Sequence, residues 1–170
     1  MKKILLLSLI AFSAKAELYT VDPMICKGKL IGDTTQVHTS YTKLLQKFES
    51  FQSTRRDGTL ANSLEVSNSY ASPGERLDVS TASWGEVWQM GPLSLKGKNV
   101  VRKDLSGRGD DLALTITGTK TVNGKRVDTL KGTWMNPNSV AGSYGYQLEC
   151  QATVVKTPSR RDDCRRGCSI

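Results

Sequence analysis

Between Leu112 and Thr119, apolar and hydroxyl-bearing positions alternate. Leu112, Leu114, Ile116 and Gly118 fall on one set, and Ala113, Thr115, Thr117 and Thr119 on the other. A period of two places each set on its own face of a β-strand, so the run predicts a strand with one apolar and one hydroxyl-rich face. "VNGK" at 122–125 follows. Asn-Gly is the strongest two-residue hairpin signal because both residues tolerate the positive φ of a type I′ turn. Near the end, "SYGYQLECQATVV" repeats the alternation through Tyr144, Tyr146, Leu148 and Cys150. "NSLEVSNSY" and "ERLDVSTAS" add shorter strand candidates upstream, and "SGRGDD" at 106–111 reads as a looser turn. Strand-like runs with turn signals about every ten residues predict a mainly-β chain. The expected fold is a single-domain antiparallel barrel or sandwich, a meander with at most one or two short helices.

One stretch departs from this pattern. In "SYTKLLQKFESFQS", Tyr41, Leu44, Leu45, Phe48 and Phe51 recur at helical spacing, with Ser40 placed to cap the start. The Asp57-Gly58 pair that follows is a hairpin signal and argues for a strand. Residues 40–52 are therefore expected as a short amphipathic helix, with a strand as the competing reading.

The N-terminus changes the picture of where this domain works. Lys2 and Lys3 precede an apolar run from Ile4 to Phe12, and Ala14-Lys15-Ala16 has the small-x-small form of a cleavage site. Residues 1–16 thus read as a bacterial-style secretory signal peptide, cut before Glu17. Ile25 precedes the first cysteine, Cys26, and is too large for a lipoprotein signal, so no lipid anchor is expected. No later run approaches the roughly 20 apolar residues of a membrane helix. The expected organisation is a signal peptide at 1–16, a β-domain at 17–155 and a basic, cysteine-containing tail at 156–170. The expected location is periplasmic or extracellular.

Charge sharpens the division between body and tail. The whole chain carries a formal +8, and three of its lysines lie in 1–16. The tail contributes Lys156, Arg160, Arg161, Arg165 and Arg166 against Asp162 and Asp163. The body is left nearly neutral, without the clustered basic face of a nucleic-acid binder, so nucleic acid is not an expected partner. An acidic protein or an anionic envelope polymer suits the tail better.

Four cysteines remain after export: Cys26, Cys150, Cys164 and Cys168. An even count in an oxidising compartment predicts disulfides, and three pairings are possible. If the first and last strands are neighbours, a Cys26–Cys150 bridge joins them and Cys164–Cys168 closes a small local loop. Zinc is not expected, because the spacing in the tail supplies one ligand pair and the only histidine, His38, is remote in sequence.

Candidate chemistry is sparse. A serine triad would have to use His38, and cysteine nucleophiles are disfavoured by oxidation. Asp104, Ser106 and Asp110 stand at alternate positions, but Arg108 and Thr115 break the pattern of a calcium loop. No catalytic residues, metal or cofactor are expected. A hydrolase working through two carboxylates is a minor alternative, although nothing marks a pair. Trp84 and Trp88 in "ASWGEVWQMGPL" are four apart, which gives them one face in a strand and in a helix alike and makes them candidate ligand contacts. Trp134 is expected in the core. The leading expectation is a non-enzymatic β-barrel binding protein for a small apolar or glycan ligand. The alternative is a protein–protein interaction module, an inhibitor or envelope assembly factor, docking through Arg160, Arg161, Arg165 and Arg166. At the level of fold alone the pattern resembles small exported β-barrels such as lipocalins, although their entry motif is not evident.

Overall fold

The computed structural model describes residues 16–31, 42–72, 74–102, 111–136 and 144–155. Their regular structure is all strand: β1 (Glu17–Tyr19), β2 (Val21–Ile31), β3 (Lys43–Thr54), β4 (Leu60–Ala71), β5 (Gly85–Met90), β6 (Leu93–Lys96), β7 (Asn99–Arg102), β8 (Asp111–Val122), β9 (Lys125–Asn136) and β10 (Tyr144–Val154). All pairings are antiparallel, in one ten-stranded sheet of order β1-β6-β7-β8-β9-β10-β2-β3-β4-β5.

Chain connectivity forces this sheet to curl. Strands β1 and β2 are six places apart in the order, yet only Thr20 separates them in sequence. In a flat sheet they would lie about 29 Å apart, whereas the chain from Tyr19 to Val21 reaches about 7 Å at most. Strands β5 and β6 are eight places apart and are joined through Gly91 and Pro92 alone. The sheet is thus a half-barrel around a single core, with β1 and β5 as its edges.

The inner face holds Met24, Phe48, Leu64, Val100, Leu114 and Leu130 among its buried side chains, together with the Cys26–Cys150 disulfide. Trp134 lies in this core as expected, 2% exposed and stacked on Tyr146 with ring centroids 5.7 Å apart. The disulfide also forms as expected between the first long strand and the last, where Cys26 and Cys150 stand directly opposite. The Asn-Gly hairpin is present too: Asn123 and Gly124 have φ of 51° and 75°, and Val122 pairs with Lys125.

The helix expected over 40–52 is a strand instead. Leu44 and Phe48 enter the inner core, while Leu45 points to the other face, where it is 1% exposed. The segment between β4 and β5 covers that outer face. Lys43 Nζ donates to the Glu75 carbonyl at 2.7 Å, and Lys47 Nζ lies 5.7 Å from the centre of the Trp84 ring. A strand buried on both faces imitates helical spacing, and this is why the periodicity misleads. The covering segment includes "ERLDVSTAS", expected as a strand. It is irregular: Ser72 N–H donates to Glu75 Oε2, and Thr81 N–H closes a turn onto the Asp78 carbonyl.

Among the described residues, bulges in β2, β5 and β8 set which residues face inward. In β2 the extra residue falls at Asp22–Pro23, opposite the step from Ala152 to Val154. Proline has no N–H to give a ladder, so a bulge accommodates it. In β8 the register shifts between Ile116 and Gly118, and the alternation read from the sequence reverses there. Gly118 does not continue the apolar face, and Thr119 turns toward the buried Asp128.

Two predictions follow from this packing. Replacing both Cys26 and Cys150 by Ala removes a cross-link spanning 124 residues. Urea unfolding should show a loss of about 4–5 kcal/mol, the chain-entropy value for so long a loop. At Gly132 a Cβ would overlap the Ala113 carbonyl oxygen and stand 2.7 Å from the Leu114 Cα. Both are backbone atoms that cannot step aside, so Gly132→Ala should lower stability by about 1–3 kcal/mol in the same assay.

Candidate functional site

The outer faces of β8, β9, β10 and β2 form an open groove of about 620 Å³. The strand register lays out its floor as rows. Lys131, Glu149 and Lys27 are consecutive cross-strand partners in the first row. Thr129, Gln151 and Ile25 form the second. Lys120, Val127 and Thr153 form the third, with Pro23 alongside and Val122 at the hairpin end. Val79, from the segment that covers the outer face, adds to the wall.

This lining is unusual for a solvated sheet face. Val79 and Val122 are 41% and 42% exposed, and Ile25 and Val127 are half-buried beside them. Aliphatic side chains lining a concave surface are the usual material of a small-molecule site. The only acid in the lining among the described residues is Glu149, and its Oε1 accepts from Lys131 Nζ at 2.7 Å. That contact, led by the hydrogen bond and helped by the lysine charge, holds the Glu149 carboxyl below its ordinary pKa. Lys27 and Lys120 form no ion pair among the described residues.

The two tryptophans expected to act together are on opposite faces. Val66 pairs with Trp88 and Asn68 with Gly85, so β5 carries one extra residue between them. The bulge reverses the parity. Trp88 packs against the inner core, whereas Trp84 sits outside under Lys47. Neither lines the groove. A spacing of four gives one face only in a strand without a bulge.

Further polar groups lie inside the half-barrel. Gln46 and Asn68 are cross-strand partners, 0% and 2% exposed. Asn68 Nδ2 donates to the Tyr70 hydroxyl at 2.7 Å, while both polar atoms of the Gln46 amide lack a partner among the described residues. Asp128 is the one buried carboxylate among those residues. Arg126 Nε and Nη2 donate to its two oxygens, both at 2.8 Å. Thr119 Oγ1 donates to Oδ1 at 2.7 Å and the Tyr19 hydroxyl to Oδ2 at 2.9 Å. Burial pushes the Asp128 carboxyl up, but these donors and the guanidinium charge outweigh it, and its pKa lies below the ordinary value. The Tyr19 phenol is pushed well up by its own burial and by the carboxylate it serves. The cluster pins the edge strand β1 onto β9. With its oxygens fully occupied, Asp128 is poorly placed for acid–base work.

The remaining candidates, His38, Cys164, Cys168 and the arginines at 160, 161, 165 and 166, lie outside the described residues. The groove was missed in the sequence because its residues come from separate strands. A signal was present: Val122, Val127 and Ile25 occupy outward positions among lysines and threonines. No family model, curated protein or solved structure matches the chain.

A carboxyl whose folded pKa is depressed stabilises the fold above its unfolded value near 3.9, and that stability is lost as pH falls through the folded value. Asp128→Asn should therefore cost about 2–4 kcal/mol at pH 7, discounted from a fully buried pair because Arg126 is half-exposed. Denaturant titrations should show the gap between variant and wild type closing below about pH 4.

Proposed function

We propose that this chain is an exported, non-enzymatic binding protein that holds a small apolar ligand in the groove across β8, β9, β10 and β2. The observation that carries the reading is the groove itself: about 620 Å³, within the size range of small-molecule sites, with partly exposed valines on its walls. An apolar ligand suits it better than a glycan. Sugar rings are held by stacking on aromatic faces, and among the described residues no aromatic side chain lines the groove. The inner face offers less, because Trp134, Tyr146, Phe48 and Met24 fill it.

The Cys26–Cys150 disulfide supports export, since such bonds persist in oxidising compartments. No helix among the described residues is long and apolar enough to cross a membrane. Together with the signal-like residues 1–16, these features favour a periplasmic or secreted location.

The test uses Nile red, an uncharged dye whose emission shifts to the blue in apolar surroundings. The oxidised protein should bind it with a blue shift. Val122→Asp and Val79→Asp, both at exposed positions, should each weaken binding at least tenfold while leaving the circular dichroism spectrum unchanged. Absence of binding to the wild type, or undiminished binding by both variants, would refute the reading.

A further inference from the structure

Resting on the groove reading, we infer that the ligand is a single-chain amphiphile with an anionic head, such as a long-chain carboxylate. Its head sits beside Lys27 and its chain runs toward Val122.

The inference comes from how charge and apolar surface are distributed along the groove. The first row is Lys131, Glu149, Lys27, cation–anion–cation across β9, β10 and β2. Glu149 is taken by Lys131 at 2.7 Å, so that pair is internally neutral. Lys27 is left with its charge uncompensated within 4 Å among the described residues, on an exposed side chain that lines the groove. Two residues along the strand the floor becomes uncharged at Thr129, Gln151 and Ile25. Beyond that it carries Val127, Pro23 and finally Val122, with Lys120 and Thr153 flanking Val127 in the third row. From the Lys131 row to the Lys125 partner of Val122 is six residues of β9, or about 20 Å of strand. With Lys27 at the charged row and Val127 and Val122 toward the hairpin, Lys120 being the one cation among them, the groove matches a molecule that is acidic at one end and hydrocarbon along most of its length. Lys120 stands beside Val127 in the third row, where a lysine can cover apolar surface with its methylene stem while its ammonium stays in water.

Calorimetry with decanoate and with decanol separates the head from the chain. Both share the hydrocarbon and differ in charge. Wild type should bind decanoate about tenfold more tightly than decanol, the size of one hydrogen bond to a charged group, and added salt should shrink the difference. Lys27→Gln should bring the two affinities within about threefold of each other by weakening decanoate alone. Lys29→Gln, two residues along the same strand face and outside the groove lining, should leave the preference intact. Equal affinities in the wild type, or a preference that survives Lys27→Gln, would overturn the anionic-head assignment while the Nile red result still stood. If neither compound binds and Nile red does not bind, the groove reading itself fails.

Discussion

A ten-stranded sheet whose first two strands lie six places apart, with one residue of chain between them, has no flat solution. This covalent constraint governs the rest of the structure. It requires β1 to return to β6 at the far edge while β2 runs through the middle of the sheet. The joint at Gly91 and Pro92 imposes the same demand from the other edge. Curvature then creates an inside, and the inside is where Trp134, Tyr146 and the leucines of β8, β9 and β10 can leave water together. The Asp128 cluster belongs to this logic. A three-residue edge strand has little ladder to hold it, and the Tyr19 hydroxyl adds a bond from that strand to a buried carboxylate.

The outer face is as specific as the inner one, although for a different reason. Part of it, over β3 and β4, is covered by the chain between β4 and β5, which buries Leu45, Ser67, Ser69 and Ala71. The adjoining part, over β2, β10, β9 and β8, is left open as the groove. Val79 stands where the covered and open regions meet. The same segment that completes the packing of β3 therefore also supplies a wall for the candidate site.

Most of the sheet was legible in the sequence because alternation and turn chemistry act locally. The Asn123-Gly124 hairpin, the alternation from Leu112 to Ile116 and the burial of Trp134 follow from residues within a few positions of one another. What escaped was non-local. Leu45 looked helical because a distant segment covers it. Trp84 and Trp88 looked like a pair because nothing in "WGEVW" announces a bulge, which is a property of how β5 meets β4. The groove draws one or two residues from each of several strands, so no short motif could mark it. Only apolar residues in outward positions hinted at its presence.

The position of β10 has a consequence for the order in which the molecule is completed. This strand lies between β9 and β2, and Cys150 reaches Cys26 across 124 residues of chain. A polypeptide emerging N-terminus first presents β2 early, with β3 able to join one side and nothing available for the other. Every other long strand can find a neighbour near to it in sequence. The seam between β2 and β10 must wait for nearly the whole domain. The native Cys26–Cys150 bond therefore requires β10 to have been made, and before then β2 has no native neighbour on that side.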